Sequence, residues 1–219
     1  MNIAMIFPDR SSESAISNYT LNLIEGIEKS KIKIKKETYT AGKPLSLFKK
    51  ILNFRKYDVI HIQHEYNLLG YYGLPFFILL PLLKLFTSGK IILTMHNVLS
   101  QKEKFEDSNT KIFLRRVLYN TQNRFINWSS DKIIVHCHFF KNILVKEYGF
   151  NKEKLVVIPQ AIIEGIETLN RKEARKELSL SGNVYLIIGT FGPLHGADII
   201  VRQANEIGKT ILIATNPHS

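Results

Sequence analysis

The chain has 219 residues, which is room for one domain of about 150 residues and a remainder. Hydrophobic residues make up 45% and charged residues 22%, a balance that excludes a disordered or collagenous chain. The net charge of +11 favours nucleic acid, an anionic membrane surface or a phosphorylated substrate as the partner. Cys137 is the only cysteine, which excludes an internal disulfide and predicts a reducing, cytoplasmic compartment.

The N-terminus does not resemble a signal peptide, because it lacks a basic segment and Pro8 interrupts its apolar run. The most apolar stretch, residues 74–86, is shorter than the about 20 residues that a transmembrane helix needs. It predicts a buried or half-buried helix of a globular domain.

Short apolar runs alternate with longer stretches of helical periodicity as far as Pro159. The predicted strands are 2–7, 31–36, 58–62, 90–95, 131–136 and 154–158, and the predicted helices are 14–28, 44–54, 74–86, 109–128 and 139–148. This alternation predicts a Rossmann-like, doubly wound parallel sheet with helices on both faces. Ligands bind such sheets outside the carboxyl ends of the strands.

The pattern changes after Pro159. We expect a linker, a short helix at 171–178, and then a second α/β unit with strand 183–188, loop 189–196, helix 197–207 and strand 210–214. The 219 residues do not complete that unit. The predicted domains are therefore 1–165 and 166–219, the second being a linker and the truncated start of another Rossmann-like domain.

The sequence contains no complete phosphate-binding or zinc-protease fingerprint. The polar loop 11–18 opens a helix, and Ser14 there serves either as a plain cap or beside a bound anion or sugar hydroxyl. His96 follows a buried strand, where an imidazole either exchanges a proton with substrate or serves a structural role. The pair His136 and His138 lacks the further carboxylates or cysteines of a metal site, so we expect no metal.

Four segments together resemble one family. They are YDVIHIQHE at 57–65, IILTMHNV at 91–98, DKIIVH at 131–136 and KLVVIPQAI at 154–162. In this order and spacing they resemble the N-terminal domain of GT-B glycosyltransferases of family four, the retaining group 1 transferases. The resemblance implies an acceptor-binding first domain, a second domain that binds a nucleotide sugar, and transfer without a metal or other cofactor.

The resemblance also implies roles for particular residues. His96 takes the position of the histidine near the reacting sugar and is the predicted catalytic residue. The acceptor-binding residues that it implies are Ser14, Ser17, Asn18, His64 and Glu65. The donor-binding residues that it implies are Thr190, His195 and Gly196, with Thr190 and His195 standing where the family has cations.

The function implied is hexosyl transfer from a nucleotide sugar to a glycan or lipid-linked acceptor, as in the synthesis of cell envelope polysaccharide. Because the family's donor-binding glutamates would lie beyond residue 219, we expect the chain to be inactive alone, with a separate donor-domain polypeptide as a candidate partner. The alternative is a non-catalytic α/β subunit that binds an acceptor or a membrane and partners such a polypeptide.

The segment 43–56 predicts a basic amphipathic helix with five cations, Lys43, Lys49, Lys50, Arg55 and Lys56. Such a helix either docks on an anionic membrane surface or covers the sheet with its basic face in water. The first alternative predicts a cytoplasmic protein, peripheral on the inner face of the membrane. Nucleic acid is not an expected partner, because no recognition helix or stacking motif accompanies the charge.

Overall fold

The computed structural model describes residues 1–10, 15–43, 45–66, 68–70, 73–103, 108–160, 168–188, 203 and 210–214. The chain divides into two compact units, Met1–Ile163 and Glu164–Ser219, which are described separately. The assignment of these units to acceptor and donor stays a prediction.

The first unit contains a six-stranded sheet in which every neighbouring pair is parallel. Its strands are β1 Ile3–Pro8, β2 Ile34–Tyr39, β3 Val59–His64, β4 Lys90–Met95, β5 Lys132–Val135 and β6 Leu155–Val157. They lie in the order β2-β1-β3-β4-β5-β6. The predicted Rossmann-like α/β fold is confirmed.

Helices connect these strands. They are α1 Ala15–Glu28, α2 Leu45–Phe48, α3 Leu74–Phe86, α4 Asn109–Ser129 and α5 His138–Tyr148, with a 3₁₀ helix at Ile51–Lys56. Helix α3 and strand β4 begin and end at the predicted residues. Helix α5 ends at Gly149, which has a positive φ of 66° and closes the helix as a left-handed cap.

The two faces of the sheet differ in composition. Strand register places Ala4 beside Ile60, and Met5 beside His61. The face that carries Ala4 and Ile60 belongs to the larger core, which includes buried residues of the 3₁₀ helix, α3, α4 and α5. The opposite face carries Met5, Phe7 and then polar residues of β3 and β4, with Ile24 of α1 packing against Met5 and Phe7. We call this second surface the site face.

The segment 43–56 does not form the single helix that its periodicity predicts. Helix α2 has four residues, and the chain continues as a 3₁₀ helix, whose tighter winding changes the direction of its side chains. Leu47, Ile51 and Phe54 are buried in the larger core. The apolar side of this segment therefore covers the sheet. Pro44, the predicted start of the helix, lies outside the described residues.

Strand β2 begins three residues later than the lysine-isoleucine alternation predicts. Lys31 has a positive φ of 62° and belongs to the turn that follows α1. Ile32 packs against the smaller core without entering the sheet, and Ile34 is the first residue to pair with β1.

The second unit contains helix α6 Arg171–Glu177 and the parallel strands β7 Val184–Ile188 and β8 Thr210–Ala214. Asn170 caps α6, because its side chain accepts hydrogen bonds from the backbone of Lys172 and Glu173. The predicted loop 189–196 and, apart from residue 203, the predicted helix 197–207 lie outside the described residues. Across both units, none of the described helices is long and apolar enough to span a membrane.

Candidate functional site

The strand order places a switch point at the carboxyl edge of the sheet. The chain leaves β1 toward β2 on one side and later places β3 on the other side of β1. A crevice forms outside the strand ends where the order reverses in this way. Asp9 follows β1, Glu65 follows β3, His96 follows β4 and His136 follows β5.

Three rings meet at this edge, on the site face. The ring of Tyr19 from α1 lies edge-on to His96, with centroids 5.0 Å apart, and is 5.8 Å from His136. The rings of His96 and His136 lie 5.2 Å apart. With the neighbouring side chains His61 and Gln63 we call this group the histidine cluster.

Hydrogen bonds fix the proton of His96. Its Nε2 donates to the amide oxygen of Gln63 at 2.8 Å, since that oxygen can only accept. The amide nitrogen of Gln63 donates to the sulfur of Met5 at 3.1 Å and reaches Nε2 of His61 at 3.5 Å. His61 in turn contacts the hydroxyl of Thr94 at 2.7 Å. This chain leaves Nδ1 as the acceptor nitrogen of His96.

Burial holds the imidazoles of His61 and His96 neutral. Burial lowers the pKa of His96 from its ordinary 6.5 to about 4, and the nearby His136 and His61 add to the shift. Burial alone lowers the pKa of His61 to about 4. At neutral pH His96 is therefore a fixed donor at Nε2 and an acceptor at Nδ1, and carries no positive charge.

His136 has an unused acceptor. Its Nδ1 donates to the carbonyl of Ile158 at 3.0 Å, which leaves the lone pair on Nε2. Nε2 is buried and has no hydrogen-bond partner among the described residues. A ligand hydroxyl is the kind of donor that this nitrogen lacks. Over the same residues, no group of three His, Cys, Asp or Glu side chains is arranged to hold a metal.

The acceptor-binding residues predicted on α1, Ser17 and Asn18, directly precede Tyr19, which belongs to the histidine cluster. Ser17 is buried, and its hydroxyl has no partner among the described residues. Asn18 is exposed, and Tyr19 is the residue of this turn that reaches the histidines. Ser14 lies outside the described residues, as do the donor residues Thr190, His195 and Gly196.

His64 and Glu65 are adjacent in sequence but differ in surroundings. His64 points into the larger core with no exposed surface, its ring 4.7 Å from Phe76 and its Nε2 3.1 Å from the amide of Gln122. Its acceptor-binding role stays a prediction, and this burial favours a structural one. Glu65 is half-buried at the edge, and burial raises its pKa. A carboxyl group in that state can hold or release a proton.

Tyr19, His61 and Gln63 are not among the predicted site residues. Strand alternation indicates that two of them lie together, because His61 and Gln63 share one face of β3 while His64 lies on the other. Tyr19 has no such signal, because its spacing from Ile16 and Leu23 is typical of the apolar side of a helix.

These observations define an α/β protein with the Rossmann-like N-terminal fold of GT-B glycosyltransferases. The sequence profile of Glycosyltransferase Family 4 matches residues 6–163, and the chain belongs to that family. No curated protein matches the chain.

Fifteen chains among the solved structures match. One is a variant of the wall teichoic acid polymerase TagF, with 11% sequence identity and a TM-score of 0.46. The match covers 99% of this chain and 56% of that one, so this chain spans about half the length of that polymerase.

Proposed function

We propose that the chain provides the acceptor side of a retaining glycosyltransferase that moves a hexosyl group from a nucleotide sugar to a glycan or lipid-linked acceptor. In this proposal the product belongs to a cell envelope polysaccharide. The observation that supports it most is His96, which lies neutral at the carboxyl edge with its proton fixed by Gln63.

The histidine cluster is suited to binding a sugar. Nδ1 of His96 and Nε2 of His136 are both acceptors, and their rings lie 5.2 Å apart. Sugar hydroxyls donate to such nitrogens, and two fixed acceptors orient a ring better than one. Glu65, with its raised pKa, is the proposed acid or base at the acceptor.

The donor side is proposed to lie in the second unit. Thr190, His195 and Gly196 are assigned to the donor diphosphate, where backbone and side-chain N–H groups would stabilise the negative charge of the leaving group. We propose no metal and no other cofactor for this step.

We further propose that the protein works in the cytoplasm at the inner face of the membrane. Lys43, Lys49, Arg55 and Lys56 are exposed on segment 43–56, so they remain available to anionic lipid although the predicted helix is broken. Each such cation near a charged surface contributes about 1 kcal/mol.

Sugar transfer by the chain, assayed alone and with a donor-domain polypeptide supplied in trans, tests the proposal. The protein is incubated with a panel of radiolabelled nucleotide sugars and a cell-envelope lipid extract, with and without EDTA. We expect label in the glycolipid fraction, unchanged by EDTA, with the donor's anomeric configuration, and a loss of about 100-fold in His96→Ala. Full activity of His96→Ala, or dependence on a divalent metal, would overturn the corresponding part of the proposal.

A further inference from the structure

Helix α4 buries several polar side chains beside Tyr119 and Ile126, and it exposes several large apolar ones. The residues that it buries include Gln122, Asn123 and Ser129. Its large exposed residues are Phe113 at 70%, Leu114 at 53%, Val117 at 45% and Trp128 at 54%. A surface helix usually turns its apolar side inward, so an apolar outer side indicates a contact with something other than water.

The first half of α4 extends past the carboxyl edge of the sheet. Tyr119 packs against Tyr66, just beyond the end of β3, with ring centroids 4.6 Å apart, and the helix then runs down to β5. The ten residues 109–118 precede that contact and span about 15 Å at the helical rise. The exposed apolar residues Phe113, Leu114 and Val117 therefore lie beyond the carboxyl edge of the sheet, the edge at which the histidine cluster also lies.

The charge of this helix has one sign. Residues 109–129 include Lys111, Arg115, Arg116 and Arg124 and no Asp or Glu. At about 100° per residue, Phe113, Val117 and Leu114 form one stripe along the helix. Arg116 lies about 60° beyond the Phe113 edge of this stripe, and Lys111 lies about 60° beyond the Leu114 edge. Arg116 is directed by a hydrogen bond to the carbonyl of Glu103.

We propose that residues 109–118 of α4 dock on an anionic phospholipid surface, with Phe113, Leu114 and Val117 inserted among the lipids and Lys111 and Arg116 at the headgroups. An apolar stripe between two cations fits the boundary between acyl chains and anionic headgroups. This inference rests on the proposed function, because it names where an enzyme with a lipid-linked acceptor meets the lipid phase. Vesicle binding involves no sugar transfer, so either proposal can fail without the other.

Co-sedimentation with vesicles tests the proposal. Vesicles of phosphatidylglycerol and phosphatidylcholine in equal parts are compared with phosphatidylcholine alone. Phe113→Ser/Leu114→Ser should weaken binding to the anionic vesicles at least about tenfold, because two large apolar side chains leave the lipid. The matched control is Ile78→Ser/Leu85→Ser, whose residues are 58% and 72% exposed on α3 and whose binding should stay within about twofold of the parent protein.

A fluorescence measurement covers the case in which the serine variant does not fold. Trp128 is the only tryptophan, so Phe113→Trp/Trp128→Phe places the only indole at the stripe. Its emission should shift to the blue with anionic vesicles and lose that shift in high salt. The proposal is overturned by an unchanged emission spectrum, by equal losses in the two serine pairs, or by equal binding to neutral vesicles.

Discussion

Replacing His64 with leucine is expected to make the protein less sensitive to acid. His64 has no exposed surface, and burial together with the nearby His96 lowers its pKa from its ordinary 6.5 to about 3. In the unfolded chain the same imidazole takes up its proton near its ordinary pKa. Between these two values the unfolded state binds more protons than the folded state, so the free energy of unfolding falls as the pH falls.

The magnitude follows from the two pKa values. At about pH 5 the unfolded side chain is about 1.5 pH units below its pKa while the folded one is still neutral, which corresponds to about 2 kcal/mol. That loss is absent at about pH 7, where both states are neutral, and it disappears in His64→Leu. The variant also deprives Gln122 of a partner, a cost that is the same at both pH values.

Urea unfolding followed by circular dichroism at the two pH values measures this difference. Between neutral and acidic pH the parent protein should lose about 2 kcal/mol more than His64→Leu. Leu83→Ala is the control, because it removes buried volume from α3 and no titratable group, so its acid loss should equal that of the parent. An equal acid loss in the parent and His64→Leu would refute the assignment of His64 to the core.

Two further predictions concern backbone strain and the fixed proton of His96. Gly73→Ala should cost at least about 2 kcal/mol, because φ is +81° and the added Cβ would lie 2.6 Å from the carbonyl oxygen of Tyr66. Gly26→Ala, in the interior of α1 with nothing within 4 Å, should stabilise by about 0.5–1 kcal/mol. Equal melting temperatures for these two variants would contradict this reasoning. Gln63→Leu should lower the kcat of the proposed sugar transfer about tenfold or more and change the ring ¹⁵N shifts of His96, since Nε2 loses its acceptor. Unchanged ¹⁵N shifts would rule out the positioning role of Gln63.

The sequence predicted the helices and strands best where one periodicity was unbroken. Strand β4 matches its predicted bounds because its apolar run is continuous. Helix α3 matches its predicted bounds because Gly73 and Thr87 bound its apolar run. Segment 43–56 kept helical spacing at Leu47, Ile51 and Phe54 but formed a short α helix and a 3₁₀ helix. Spacing alone does not distinguish these, because both windings place such residues against the sheet.

The candidate site was predictable only in part. His96 could be placed at a strand end from the sequence, since the apolar run before it was clear. The partners of its ring could not, because Gln63 and Tyr19 come from β3 and α1, and only the register of the sheet and the packing of the helix bring them together. Alternation along β3 separates His61 from His64, but it does not show which side the helices cover.

The polar residues beneath α4 have a consequence for the rotation of this helix about its own axis. With apolar side chains around much of its circumference, α4 could bury as much apolar surface in a rotated setting, since the hydrophobic effect has no direction. Directional bonds select one setting: Asn123 accepts from the hydroxyl of Tyr66 at 3.1 Å, and Gln122 meets His64 at 3.1 Å. Two amide side chains thus fix the rotation of this 21-residue helix about its axis, and with it the direction in which the side chain of Phe113 is exposed.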